Sequence, residues 1–443
     1  MPIEIIAIAG LVLIFLLSTL FKVHMGALAF VAAAIVGIGL AGMGVDDVLG
    51  GFPIDLFVIL AGVTYLFAIA KNNGAIDWVV DNAVRATGGR VWAMPWLMFL
   101  IAALLAGVGA VPPAVVAILA PTALRLAHKH GVNPFYMGLM VANGVCAGEF
   151  SPIGLFGLIV NQIAEANGVA TNPMALFAAT FVFSALLCIV LALVIAARDG
   201  RSVTDFGGIG LAPGRRSSAS GSAPVNGTSA LATATLPRLE DEVRTRMSVQ
   251  IALTLVGLIA MVLAVTVFRA DIGIASMTVA VLLSFICRKE GAQAIGQIAW
   301  GTIFLVVGIV TYVGVLQKTG AVDYVSDAVG QLGSPLLVAL LICVIGAVVS
   351  AFASTTGILG ALVPLAVPFM LAGAVNPVAM LIALSISSSV VDSTPFSTTG
   401  ALIVANTEED KRDAVFSRLL RWGILMMVVA PLFSWLIFIV PGW

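Results

Sequence analysis

Residues Asn376 to Asn406 read NPVAMLIALSISSSVVDSTPFSTTGALIVAN, an apolar helical stretch interrupted halfway by a polar run. A shift of 243 positions, from Asn376 back to Asn133, lands on NPFYMGLMVANGVCAGEFSPIGLFGLIVNQ, Asn133 to Gln162. The superposition pairs Asn133 with Asn376, Pro134 with Pro377, Met137 with Met380 and Glu149 with Asp392. It also pairs Ser151 with Thr394, Pro152 with Pro395 and Gly157 with Gly400. Apolar segments broken by polar residues at matching places in two halves of a chain point to a binding site at membrane depth.

Composition agrees with a membrane setting. The chain is 61% hydrophobic and 10% charged, and one soluble core cannot hide that much apolar surface. A net charge of -1 argues against a nucleic-acid partner. Cys146, Cys188, Cys287 and Cys343 sit singly inside apolar segments, so neither a disulfide framework nor a zinc site is expected. The run Met1 to Leu20 has no basic residue ahead of it and no small-residue cleavage pattern, and reads as a first span.

Working outward, each broken segment is preceded by an apolar block too long for one span. Val91 to His128 is cut by Gly107, Gly109, Pro112 and Pro113. Pro335 to Met370 is cut by Ser350 and by Ser354, Thr355, Thr356 and Gly357. Both read as re-entrant hairpins, tolerated at membrane depth only beside protein or a water-filled cavity. Ahead of the first hairpin lies GAIDWVVDNAVR, Gly74 to Arg85, with apolar residues at helical spacing opposite Asp77, Asp81 and Arg85; it predicts an amphipathic surface helix. GAVDYVSDAV, from Gly320, repeats it in the second half. Between the halves, RRSSASGSAPVNGTSALATATLPR lacks periodicity and reads as a flexible linker.

The predicted fold is therefore an all-α polytopic membrane protein built as two inverted repeats of five transmembrane helices. Residues 1–199 form the first repeat, with a surface helix at 74–86, a hairpin at 91–128 and a broken helix at 134–167. The linker is 200–246. Residues 247–443 form the second repeat, with a surface helix at 320–332, a hairpin at 335–370 and a broken helix at 377–406. With both termini outside, all of the 21 Lys and Arg except Arg269 and Lys318 fall on the cytoplasmic side.

The chemistry is expected at the breaks. Ser151-Pro152 and Thr394-Pro395 read as caps where a helix restarts, and Pro112-Pro113 and Thr355-Thr356 as helix starts at the hairpin tips. Four helix N-termini near the midplane would make an anion site from backbone dipoles and hydroxyls. No Lys or Arg occurs between Lys129 and Arg198 or between Lys318 and Lys411, so bound cations would have to offset a dianion. Sodium suits the oxygen donors expected at Gly109, Gly144, Cys146, Gly148, Ser354, Ser388, Ser389 and Ser393. Glu149 and Asp392 read as cation ligands or proton carriers, or as acids that stabilise a helix start.

These residues resemble the divalent-anion/sodium symporter group of the ion-transporter superfamily, and the N-terminal half resembles MatC-type malonate or dicarboxylate carriers. The family has a Ser-Asn-Thr motif at each hairpin tip; Ser354-Thr355-Thr356 keeps hydroxyls there, whereas Val111-Pro112-Pro113 departs from the motif. The resemblance implies an elevator mechanism, a dicarboxylate substrate, sodium as coupling ion, membrane lipid around the chain and a homodimer. A cation/proton antiporter using Glu149 and Asp392 and a proton-coupled symporter remain open. An enzyme is disfavoured: His24, His128 and His130 fall at predicted membrane edges, away from any nucleophile.

Overall fold

In the computed structural model the described residues are 2–21, 23–86, 92–198, 247–321, 324, 335–351, 355–371, 373 and 375–442. The expected linker at 200–246, Ser354 and nearly all of the second surface helix at 320–332 lie outside them. Every regular element among the described residues is helical.

The first half runs α1 (Ile3–Phe21), α2 (Met25–Ala33, continued by a π-helical turn to Leu40), α3 (Val45–Leu49), α4 (Ile54–Asn72) and α5 (Ala75–Ala86). It continues with α6 (Ala93–Gly107), α7 (Pro112–His130), α8 (Pro134–Gly148), α9 (Leu155–Ala166) and α10 (Pro173–Arg198). The second half runs α11 (Val249–Thr266), α12 (Ile272–Ile286), α13 (Arg288–Ile295) and α14 (Trp300–Lys318). After it come α15 (Pro335–Ser350), α16 (Thr355–Leu371), α17 (Pro377–Val390), α18 (Thr398–Ala405) and α19 (Glu409–Ser434, continued by a π-helical turn to Ile439).

Five stretches are long and apolar enough to cross a membrane: Ile54–Asn72, Pro173–Ile195, Trp300–Lys318, Pro377–Ala405 taken through its break, and Glu409–Ile439. The protein is a helical membrane protein. By contrast α6 has 15 residues and α15 has 16; at 1.5 Å per residue each reaches about 22–24 Å, short of a hydrocarbon core of about 30 Å. The predicted amphipathic helix at 74–86 forms as α5, burying Ala75, Ile76 and Val80 while Asp77 and Arg85 stay exposed. The acidic α3 and the basic start of α13 are short polar helices that hydrophobic periodicity did not single out.

Two apolar cores organise the packing. One gathers α6, α7 and α8 and takes in Leu402, Ile403 and Val404 of α18. The other gathers α15, α16 and α17 and takes in Leu155, Phe156, Ile159 and Val160 of α9. Each break therefore carries the chain out of one core and into the other. The packing pairs follow suit: α7 lies on α18 and α16 on α9, while α4 lies on α12 and α14 on α2.

Candidate functional site

Both breaks begin with the same local device. Asn133 caps α8, its side-chain oxygen accepting from Phe135 N at 3.0 Å, and Asn376 caps α17, accepting from Val378 N at 2.9 Å. A proline follows each cap at the first helical position, where its missing N–H leaves nothing unsatisfied. The two helices then run to Gly148 and Val390.

The restart differs from the sequence expectation. Ser151 and Thr394 are not N-caps, and Pro152 and Pro395 do not open helices. The helix α9 starts at Leu155 behind Gly154, and α18 starts at Thr398 behind Ser397, whose hydroxyl accepts from Gly400 N at 3.1 Å. The reason is a competing bond across the fold. Ser151 Oγ donates to the Gly107 carbonyl, and Thr394 Oγ1 donates to the Ala351 carbonyl at 2.7 Å. Each hydroxyl ties its break to the turn after α6 or α15. Close backbone approach completes the device: a methyl group on Gly157 would come within 2.1 Å of Ser151 O, and one on Gly400 within 1.9 Å of Thr394 O.

Helices start at two of the expected places. Pro112 and Pro113 open α7 behind Val111, and Thr355 and Thr356, both buried, open α16. Gly109 has a φ of +110° in the turn, and a side chain there would meet Val63 at 2.6 Å and Ile153 O at 3.1 Å. Its role is thus the turn itself.

The oxygen donors expected for a cation are only partly free. Gly144, Cys146 and Gly148 continue α8, and the Gly148 carbonyl accepts from Ser151 N at 2.9 Å. A methyl group on Gly144 would sit 2.4 Å from Phe99 O and one on Gly148 2.0 Å from Ala103 O, so these glycines let α8 press against α6. Ser388 and Ser389 lie in the last turn of α17, before the break rather than in it. The Ser388 hydroxyl is fully buried and, among the described residues, has no hydrogen-bond partner. Ser393 Oγ donates to Val390 O at 2.9 Å.

The two acids are buried, Glu149 at 2% and Asp392 at 8% exposure, and hydroxyls surround them. Ser389 Oγ donates to Glu149 Oε1. Thr399 Oγ1 donates to Asp392 Oδ2 at 2.8 Å, and Ser397 Oγ donates to the Asp392 backbone carbonyl. Ser350 Oγ pairs with Thr355 Oγ1 at 2.9 Å and donates to Ser388 O at 2.6 Å. Among the described residues the ion pairs formed involve neither acid. The site is thus two buried carboxyls held by hydroxyls where the halves cross, the second far richer in hydroxyls than the first. Ser397 and Thr399 escaped the sequence reading, which took Ser350 only as a break in the apolar block; the visible signal was Ser397 three residues ahead of a glycine.

Residues 1–149 match the family model for the N-terminus of the dicarboxylate carrier protein MatC. The kinship expected of the N-terminal half is borne out over this stretch. The match runs from α1 through the first tip and α8 and ends on Glu149. Over these residues the chain is similar to the N-terminus of a dicarboxylate carrier. Comparison with curated proteins gives no match.

Proposed function

We propose that the protein is a secondary active transporter that imports a small dicarboxylate, malonate first and C4-dicarboxylates or citrate next, in symport with sodium. In this reading residues 1–199 and 247–443 are inverted repeats, and the α6–α7 and α15–α16 pairs are the re-entrant hairpins. Hairpins and broken helices move together as an elevator against α2, α4, α12 and α14.

The observation that carries the reading is one contact made twice. The Ser151–Gly107 and Thr394–Ala351 hydrogen bonds join a broken helix to a tip at nearly equivalent places, about 243 positions apart for the hydroxyls and about 244 for the carbonyls. Such a repeat of contact is what inverted halves produce around a midplane site. Helix starts at Pro112, Thr355, Leu155 and Thr398 each bring about half a positive charge from unpaired N–H groups, a field suited to carboxylates. Thr355 and Thr356 offer hydroxyls to one carboxylate of the substrate, and the tip at Pro112 and Pro113 only backbone. A desolvated dianion needs more compensation than partial charges give, which a co-bound sodium near Ser388, whose hydroxyl lacks a partner among the described residues, would supply. The exposed apolar faces of α1, α10, α11 and α19 suit contact with lipid.

Proton coupling is the second reading, favoured by the burial of Glu149 and Asp392 without basic partners among the described residues. Uptake of labelled malonate into proteoliposomes separates the two. Uptake driven by an inward sodium gradient supports the first; uptake driven by a proton gradient at zero sodium moves coupling to the acids. Cation/proton exchange without malonate movement would replace both with the antiporter.

A further inference from the structure

Beyond the breaks and tips, α19 makes two contacts with the second break that the transport reading does not use. Trp422 Nε1 donates to Ser393 Oγ at 3.1 Å, and Ser393 passes the bond on to Val390 O at 2.9 Å, at the last residue of α17. One residue along, Gly423 is buried against Thr394: a methyl group on Gly423 would come within 2.3 Å of Thr394 Cγ2 and 3.2 Å of its Cβ. Thr394 is in turn the residue that holds the tip at Ala351. The Trp422 ring packs against both apolar cores, at the seam where the chain changes core.

The first half has no such arrangement at the corresponding places. The positions 243 earlier hold Ala179 and Thr180 on α10. Alanine offers no donor, and the Thr180 hydroxyl is used within its own helix, on Leu176 O and Phe177 O at 3.0 Å each.

We infer that Trp422 and Gly423 form a backstop that positions Ser393 and Thr394, fixing the second break and its tip. Both are positioning residues. The indole sets the end of α17 through Ser393, and the missing side chain of Gly423 sets how far Thr394 retreats. The consequence for function rests on the transport reading: a loosened second tip binds substrate more weakly, while the rate of the moving unit is little changed.

The test compares wild type with Trp422→Phe, which keeps the ring and loses the N–H, and with Gly423→Ala. Amide hydrogen exchange on the full chain in nanodiscs reads local opening directly. Trp422→Phe is expected to raise exchange about 3- to 10-fold in peptides spanning 385–400, the effect of one lost hydrogen bond, and to leave peptides spanning 142–157 unchanged. Ser393→Ala removes this bond and also the one to Val390 O, so the double variant Trp422→Phe/Ser393→Ala should exchange no faster there than Ser393→Ala alone. In proteoliposomes the KM for malonate should rise by a similar factor with Vmax within about two-fold. Unchanged exchange at 385–400, or a uniform rise over the whole chain, would overturn the backstop. If wild type itself takes up no malonate, the transport reading fails and exchange still judges Trp422.

Discussion

Cys146 Sγ points at the Ser389 carbonyl at 3.5 Å, and the two residues are 243 positions apart. That separation is the interval that superimposes the two broken segments, so each residue touches its own counterpart. Under the proposed inverted repeat, counterparts meet only where the segments cross at the line relating them. The neighbouring contact, Ser389 to Glu149, joins the halves at the same crossing.

Removing that hydroxyl has a measurable cost. Ser389→Ala leaves the buried Glu149 carboxyl without this donor, and an unmet buried polar group costs about 1–3 kcal/mol. Glu149→Gln keeps an oxygen that can accept from Ser389. Thermal unfolding in detergent should therefore place Ser389→Ala clearly below Glu149→Gln; the reverse order would mean that this contact does not hold the crossing.

Gly148→Ala tests the contact between α8 and α6. The added methyl meets the Ala103 carbonyl oxygen at 2.0 Å, and backbone on both sides leaves little room to yield. Overpacking of this kind costs about 1–3 kcal/mol. Gly39→Ala, whose methyl meets nothing within 4 Å, is the control, and its melting temperature should stay near wild type.

Asp47 supplies a pH dependence away from the site. Its carboxyl lies below its usual value of 3.8, first through the hydrogen bond from Lys318, then through Gly44 N–H and the Lys318 charge. The Lys318 ammonium lies 3.1 Å from it. A lowered carboxyl pKa adds stability that is present above the unfolded value and is lost as pH falls through the folded one. The pair is exposed, so the effect is small and weakened by salt. Melting temperatures of wild type and Asp47→Asn should differ above the carboxylate range and converge below it.

How far the site was legible depends on whether its cause was local. The start at Pro112 and the amphipathic α5 follow from neighbours in sequence, and the sequence predicts each, whereas the equally local caps at Asn133 and Asn376 went unread. The restarts were misplaced because Ser151 and Thr394 look like caps locally, while their protons go to Gly107 and Ala351, some 44 and 43 residues away. Gly144 and Gly148 looked like cation donors because glycine in a polar run exposes carbonyls; here their value is steric, against α6. Thr399 was invisible as a partner of Asp392 because only the turn through Ser397 brings it back, seven residues on.

The ties between break and tip give the most direct test of the site. Thr394→Val keeps the shape that fits against Gly423 and removes only the bond to Ala351; Ser151→Ala does the same for Gly107. Each loss is worth about 0.5–1.5 kcal/mol of docking between broken helix and tip, or about 2- to 13-fold in affinity. Thr355→Ala should cost more, because its hydroxyl bonds Ser350, which in turn holds Ser388 O, and because Thr355 opens α16. Uptake kinetics in proteoliposomes should show KM for malonate rising in the order Ser151→Ala, Thr394→Val, Thr355→Ala, since hydroxyls concentrate on the second side. Equal effects for the first two would mean that both tips hold substrate alike despite the prolines at the first. No effect from any of the three would remove the tips from the binding site.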